Sequence, residues 1–244
     1  MPSGLKWATC NVGAIKPEEY GLYFAWGETE GYSGITDEKQ FDWPDYKLCG
    51  GSDSTLTKYN NNSSYGTVDN LTTLEQVDDA AYQSDNTCRM PTKADFEELT
   101  ANTTSVWETL NGVNGRRFTS KTNGNSIFVP AAGGCDSGSV GNVGYYGSLW
   151  SGSLGGSNCK SGWGLIFDSG VVSVSFSSRY GGFTVRAVQE ANISSKFDPK
   201  ETVSKLSDLE SKTVEIENQL SNTYTKEEVD DLIPTDYITE EQLT

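Results

Sequence analysis

The sequence predicts an α+β domain followed by a short oligomerising coiled coil. All six tryptophans of this 244-residue chain lie before residue 164, in a region rich in Gly, Ser and Asn. From about residue 197 onward the chain is acidic, and apolar residues recur with heptad spacing. Apolar residues make up 35% of the chain and aromatic residues 11%, which is enough for a core in the first part. The second part is too polar to form a core alone, so we expect it to bury its apolar stripe against another chain.

Short strands and one long loop are predicted up to residue 70. Residues 5–10 form the first strand, residues 11–13 its turn, and residues 23–27 a short aromatic strand. Residues 28–70 show little periodicity and many turn-forming residues. We therefore predict a long, loop-rich insertion, and long ordered loops are often functional.

Two helices are predicted next. Residues 71–75 begin a short helix, and the Pro-Thr pair that ends at Thr92 marks the start of a clearer one. Asp95, three residues after Thr92, completes the looser form of a capping box. The apolar anchors of this second helix are Phe96, Leu99 and Trp107. Asp78 and Asp79 are compatible with a metal-ligand pair or with a helix cap, and we favour the cap.

The remaining strands of the domain are predicted between residues 126 and 188. Residues 112–125 carry turn signals, whereas residues 126–130 form a strand that ends at a proline. High glycine density over residues 131–161 indicates tight turns. The strands predicted after these turns are 163–167, 172–177 and 183–188. Apolar and polar residues alternate over 172–177, so Val172, Val174 and Phe176 are expected to face inward and the serines outward.

We divide the chain into four segments: a domain over residues 1–190, a linker over 191–200, a coiled-coil stalk over 201–223 and short Tyr-x-x-Glu-Glu repeats over 224–244. In the stalk, one heptad position holds Leu206, Thr213 and Leu220, and the other holds Leu209, Ile216 and Thr223. Leu at the first position with Ile at the second disfavours a two-stranded zipper, so we predict a homotrimer. The alternative is a single amphipathic helix that folds back on the domain.

Composition argues against several classes of protein. The net charge is −16, and residues 196–244 contribute half of it. This argues against a nucleic-acid partner, because phosphate binding needs clustered Lys and Arg. No run of about 18 apolar residues is present, so we expect no membrane insertion. The chain has no histidine, which removes Ser-His-Asp and Cys-His catalysis and the commonest metal ligand. We therefore predict no catalytic residues, no metal site and no cofactor.

Cysteine usage argues against a complete disulfide framework. An odd number of cysteines precludes complete pairing within the chain. None has Cys-x-x-Cys spacing, so a zinc knuckle is not expected. We predict mostly free, buried thiols, and the alternative is one or two disulfides with a leftover thiol. The five cysteines are Cys10, Cys49, Cys88, Cys135 and Cys159.

Three segments resemble a paralogous domain that is abundant in surface proteins of Fibrobacter and Bacteroides. They are residues 5–14 (LKWATCNVGA), 23–28 (YFAWGE) and 88–96 (CRMPTKADF). With the closing Gly-Phe-x-Val-Arg segment, the resemblance covers residues 3–189. It implies a C-type-lectin-like fold related to that of the formylglycine-generating enzymes, which variable receptor-binding proteins of phages also use. The tail, about fifty residues long, resembles phage tail-fibre and head-fibre sequences.

The resemblance does not extend to catalysis or to calcium binding. Formylglycine-generating enzymes use a cysteine pair in a copper site, whereas Cys135 and Cys159 lie in Gly- and Ser-rich surroundings without that context. The Glu-Pro-Asn and Trp-Asn-Asp triplets of calcium-dependent sugar-binding lectins are also absent from the sequence.

In the lectin-like fold, ligands typically meet the surface formed by the segment before the last strand, here residues 145–180. This segment is rich in Tyr, Ser, Gly and Asn, which binding loops favour because they combine rigid aromatic area with adaptable hydrogen bonding. The predicted ligand-binding residues are Tyr145, Tyr146, Trp150, Asn158, Trp163, Ser173, Ser175, Ser177, Arg179 and Tyr180. The alternatives are that Trp150 and Trp163 belong to the core and that Arg179 pairs with a carboxylate.

The sequence thus favours a non-catalytic receptor-binding or adhesion module of a virion fibre or a bacterial cell surface. Its expected ligand is a cell-surface glycan or protein. The alternative is a purely structural fibre or capsid-decorating subunit, which would contact other virion or surface proteins. An enzyme on the formylglycine-generating scaffold is the third hypothesis.

Overall fold

The described part of the chain is sheet-rich, with only short helices. The computed structural model describes residues 1–34, 39–156, 158–191 and 211–213, and the chain divides into two compact units, Met1–Ala191 and Asn192–Thr244. Within the described residues of the first unit, twelve strands and two α-helices form a mixed fold, consistent with the predicted α+β class. Among all described residues, no helix is long and apolar enough to cross a membrane.

The elements are short and are separated by many turns. In chain order the strands are β1 (Lys6–Trp7), β2 (Tyr23–Phe24), β3 (Thr103–Leu110), β4 (Val113–Ser120), β5 (Ser126–Pro130), β6 (Gly134–Asp136), β7 (Ser139–Gly141), β8 (Gly147–Gly155), β9 (Ser161–Phe167), β10 (Val172–Ser178), β11 (Phe183–Thr184) and β12 (Val188–Gln189). The α-helices are α1 (Ala80–Ser84) and α2 (Lys93–Asn102), and 3-10 turns cover Ser63–Tyr65 and Gln76–Asp78. The loop-rich character predicted for residues 28–70 is confirmed over the described part of that segment.

The largest sheet has five strands in the order β10-β9-β8-β11-β2. All neighbours are antiparallel except β8 and β11, which are parallel. The strand predicted over 183–188 is interrupted, because β11 enters this sheet whereas β12 pairs with β1. Arg186 lies at the interruption, where its buried guanidinium donates to the carbonyl oxygens of Ala8, Thr9 and Phe128.

A second sheet contains β3, β4 and β5, all antiparallel. The turn predicted over 112–125 is therefore wrong for most of that segment, which forms the central strand β4. Arg117 of β4 pairs with Glu108 of β3 at 2.7 Å, so this charged side chain is held on the sheet. Trp107, predicted as a helix anchor, lies in β3 instead.

Both helices start at capping side chains. The carboxylate of Asp79 accepts hydrogen bonds from the amides of Ala81 and Tyr82, which confirms the predicted cap. The helix predicted to begin at residues 71–75 is wrong, because the 3-10 turn starts only at Gln76 and α1 starts at Ala80, after its capping residue Asp79. Helix α2 begins with the predicted capping box between Thr92 and Asp95.

The buried apolar side chains form three clusters among the described residues. The first contains Trp26 and Trp150, the second contains Phe96 of α2 and Phe167 of β9, and the third contains Tyr23. All five cysteines are free thiols, in line with the prediction of mostly free thiols. Cys135 and Cys159 are buried, whereas the other three are half-buried.

The predicted stalk falls almost entirely outside the described residues. Thr213 lies in residues 211–213, which are helical and exposed. The other five predicted oligomerisation residues lie outside the described ranges: Leu206, Leu209, Ile216, Leu220 and Thr223. The linker, the coiled coil, the repeats and the homotrimer therefore stay predictions.

Candidate ligand-binding cleft

A cleft of about 500 Å³ opens beside the five-stranded sheet. One wall is the β6–β7 hairpin with the turn that follows it, and the other is the end of β10 with the chain that leads into β11. The first wall contributes Gly134, Cys135, Asp136, Gly141, Asn142 and Tyr146. The second contributes Phe176, Ser177, Ser178, Tyr180, Gly181 and Phe183, together with Ser161 of β9. We call this site the aromatic cleft.

A backbone bridge ties the two walls together. The amides of Cys135 and Gly182 each donate to the carbonyl oxygen of the other at 2.8 Å. Residue 182 must be glycine for this approach, because a Cβ there would lie 2.6 Å from Cβ of Cys135 and 2.6 Å from the ring of Phe41. The separation of the walls is therefore set by the backbone rather than by mobile side chains.

The aromatic side chains of the cleft are held by rings behind them. Tyr180 packs edge-on against Trp43 with ring centroids 5.2 Å apart, and Phe183 lies 4.5 Å from the fully buried Trp150. Tyr146 is half-buried, and burial raises the pKa of its hydroxyl. Its hydroxyl therefore stays protonated at neutral pH and can donate a hydrogen bond.

Exposed apolar side chains lie on the segments that form the cleft. Tyr145 is 78% exposed and Phe176 is 52% exposed, and Val140 and Val143 each expose 38% of their surface. Single exposed apolar residues are ordinary, but several on the segments that form one concave site favour a binding surface. Tyr145 directly precedes the lining residue Tyr146 in the chain and is the most exposed aromatic side chain of the hairpin wall.

The cleft has little charge. Asp136 is the one charged side chain among the residues that line it, and its carboxylate accepts a hydrogen bond from the hydroxyl of Ser137. Seryl hydroxyls, the amide of Asn142 and tyrosyl hydroxyls supply the other polar groups. The site therefore suits a neutral ligand with many hydroxyl groups better than an anionic one.

Three of the predicted binding residues, Tyr146, Ser177 and Tyr180, line the cleft. Tyr145 is exposed and precedes Tyr146 in the chain, but it is not among the lining residues. Asn158 is exposed in the turn between β8 and β9, where it accepts a hydrogen bond from the amide of Lys160. It is not among the residues that line the cleft.

The predicted residues on the middle of the sheet also lie outside the cleft. Ser173 is exposed and Ser175 is half-buried on β10. Trp163 is half-buried, packs edge-on against Phe176 at 5.4 Å, and has the ammonium group of Lys93 4.7 Å from its ring centroid. It therefore supports the outer side of Phe176.

Two predicted binding residues are corrected, because Trp150 and Arg179 have no exposed surface. The indole nitrogen of Trp150 donates to the carbonyl oxygen of Phe24 at 2.8 Å, so the core alternative holds for this residue. For Arg179, the alternative prediction that it pairs with a carboxylate is wrong. Its guanidinium donates to the hydroxyl of Tyr46 at 2.8 Å and to the carbonyl oxygens of Lys58 and Cys159 at 3.0 Å.

The sequence prediction missed most of the hairpin wall. Asp136 and Asn142 lie before the segment 145–180 that the resemblance indicated, so only the density of glycine around them hinted at a turn-rich surface. Phe176 was expected to face inward with Val172 and Val174, which do pack against the core. Near the end of β10 the core no longer covers this face, so Phe176 is exposed and lines the cleft.

A second cavity, of about 600 Å³, lies between β1 and the turn that joins β4 to β5. Its aromatic residues serve the core: Phe118 is buried, and Trp7 stacks on Phe96 at 5.6 Å. It also lies apart from the segment 145–180. The aromatic cleft is therefore the better candidate.

Comparison of the chain with protein-family models, with curated proteins and with solved structures found no match.

Proposed function

We propose that the first unit is a C-type-lectin-like, non-catalytic receptor-binding or adhesion module of a phage fibre or a bacterial surface protein. The aromatic cleft binds a cell-surface glycan or protein. The observation that carries this proposal is a concave site rich in hydroxyl groups and lined by the half-exposed ring of Phe176, with the exposed Tyr145 next in the chain to the lining residue Tyr146. Aromatic faces accept the apolar faces of sugar rings, and the surrounding hydroxyl and amide groups can pair with sugar hydroxyls.

The charge of the cleft narrows the ligand class. Asp136 would repel a carboxylate or sulfate group, and the buried Arg179 cannot offset it at the surface. A neutral glycan, or a neutral polar surface of a protein, is therefore the preferred ligand.

The second unit would increase the strength of binding. Shallow sites of this kind bind weakly one at a time, and a homotrimeric stalk would present three of them to one cell surface. The acidic surface of the stalk would keep it solvated.

Two alternatives predict different behaviour. A structural fibre or capsid-decorating subunit would use Tyr145 against neighbouring subunits and would not bind cells. An enzyme that acts through a thiolate would need an accessible, ionised cysteine. Burial raises the pKa of Cys135, the cysteine at the cleft, to about 12, which makes it a poor nucleophile at neutral pH.

The test uses the labelled full chain on intact Bacteroides cells and on a glycan array. We expect the wild type to bind, and Tyr145→Ser to weaken binding by at least about tenfold, because an exposed aromatic anchor carries a large share of binding energy. Ile15→Ser is the matched control, since Ile15 is 85% exposed and lines a different cavity. A wild type that binds neither cells nor glycans would favour the structural alternative. Equal loss in both variants would rule out a specific role for the cleft.

A further inference from the structure

The outer strand of the five-stranded sheet has an unpaired edge. β10 is the last strand in the sheet order, and all seven of its residues pair in continuous register with β9, from Val172 opposite Phe167 to Ser178 opposite Ser161. Helix α2 contacts β10, but it also contacts β8 and β9, so it lies across the sheet. Among the described residues, no other strand pairs with β10.

The hydrogen bonds at both ends of β10 show which backbone groups point outward. Val171 accepts from the amide of Asp168, and the amide of Arg179 donates to Lys160. The backbone hydrogen-bonding groups of these two odd-numbered residues, Val171 and Arg179, therefore point toward β9. Hydrogen bonding alternates along an antiparallel strand, so the amides and carbonyls of Val172, Val174 and Phe176 point away from β9. No hydrogen bond to these outward groups is found among the described residues.

Exposed edges in soluble proteins are usually protected. Charged side chains, proline or a bulge in the edge strand prevent pairing with another chain. β10 has none of these features: its sequence is VSVSFSS, and its pairing with β9 shows no register shift. In a chain with a net charge of −16, an uncharged seven-residue edge is a place where two copies can approach with little repulsion.

We propose that β10 pairs antiparallel with β10 of a second copy, on a two-fold axis centred at Val174. In this register Val174 lies opposite itself, and Val172 lies opposite Phe176 of the second copy. These three pairs would each exchange two hydrogen bonds through the outward backbone groups. Val opposite Phe is a favourable cross-strand pair. The strand is thus complementary to itself, which favours a second copy over an unrelated peptide.

The opposite face of the strand provides the test. Ser173 would lie opposite Ser175 of the second copy, and Ser175 would lie opposite Ser173 of the second copy. Neither side chain belongs to the core clusters. In S173K/S175K, each lysine would face a lysine of the second copy. In S173K/S175E, each lysine would face a glutamate, but only in the register centred at Val174. Both variants leave the outward backbone groups and the Val and Phe side chains unchanged.

The experiment is sedimentation velocity of the full chain over a range of concentrations. For the wild type we expect the mass to rise with concentration above the mass that the stalk sets: by doubling if the chain is otherwise single, or through larger assemblies if three heads share one stalk. S173K/S175K should raise the dissociation constant of this association by at least about tenfold, because two like-charge pairs would oppose it. S173K/S175E should keep the association.

Three results would overturn the proposal: no rise of mass with concentration in the wild type, an unchanged association in S173K/S175K, or a loss in S173K/S175E equal to that in S173K/S175K. Circular dichroism and the urea midpoint of each variant check that the fold is intact. This self-association goes beyond ligand binding at the aromatic cleft, and either can fail without the other.

Discussion

Arg179 supports the aromatic cleft from inside the core. Its guanidinium lies 4.9 Å from the ring centroid of Trp26, 5.2 Å from that of Tyr46 and 5.9 Å from that of Tyr59. No carboxylate pairs with it among the described residues. Aromatic faces and carbonyl oxygens therefore stabilise the buried cation. Because Tyr180 is the next residue, this anchor fixes one wall of the cleft.

Replacement of Arg179 should destabilise the protein strongly. Arg179→Met keeps an unbranched apolar side chain but leaves the carbonyl oxygens of Lys58 and Cys159 unpaired in the core. We expect a loss of about 3 kcal/mol in the free energy of unfolding, measured by urea titration. Arg117→Met is the control, because the partly exposed pair of Arg117 with Glu108 should contribute about 1 kcal/mol or less. Equal losses in the two variants would contradict this account of Arg179.

The contrast between Tyr146 and Trp150 shows the limit of prediction at this scale. Both are aromatic residues in the same glycine-rich segment, and both became candidates through their residue type and their place in the segment 145–180 that the resemblance indicated. Trp150 is buried because it packs on Phe183, more than thirty positions away along the chain. Burial that depends on such distant contacts is not encoded in the local pattern.

At the scale of elements, α2 illustrates what a local signal can specify. The capping box of Thr92 and Asp95 was readable because both partners lie within four positions of each other. The strand β4 was missed because its stability comes from pairing on both sides, with β3 and β5. Turn-forming residues in β4 are tolerated when neighbouring strands satisfy the backbone. In contrast, β10 was predicted as a strand because its alternation of apolar and polar residues is visible within a few consecutive residues.

The capping box predicts a pH dependence. Burial disfavours the charged form of Asp95 and tends to raise its pKa. Hydrogen bonds from the Arg89 guanidinium and from the amide and hydroxyl of Thr92 outweigh this effect of burial, so the pKa of Asp95 is lowered below its ordinary 3.8. A carboxylate whose pKa is lowered by folding stabilises the folded state fully when the pH is above its pKa in the unfolded state. That contribution is lost as the pH falls through its pKa in the folded state. The stabilising effect of Asp95 should therefore disappear only below pH 3.8.

The measurement compares the wild type with Asp95→Asn by urea titration at pH 7 and at steps below pH 3.8. At pH 7 we expect the wild type to be more stable by about 1 kcal/mol, and we expect the difference to shrink as the pH falls below 3.8. Glu97→Gln serves as the control, because the exposed pair of Glu97 with Lys93 should contribute less than about 0.5 kcal/mol. A difference for Asp95→Asn that does not change with pH would contradict the assignment.

At the scale of the whole molecule, the proposed function needs several heads on one stalk. We expect the solution mass of the full chain to be three times the 26.5 kDa of one chain, because the Leu and Ile heptad positions favour three strands. The measurement is best made in S173K/S175K, so that pairing through β10 does not contribute. Ile216→Asp should reduce the mass to that of one chain, since a carboxylate at a heptad position predicted to be buried would be strongly destabilising. A single chain before the substitution would contradict the predicted stalk.

The most direct test of the central claim is hydrogen–deuterium exchange of the full chain with and without envelope fragments from cells that bind it. The claim is that the aromatic cleft is the surface that meets the ligand. We predict that bound fragments slow exchange in residues 134–146 and 176–183 and leave residues 8–15 unchanged. Protection confined to other segments, with no change at the cleft, would contradict the proposed site even if the protein binds cells.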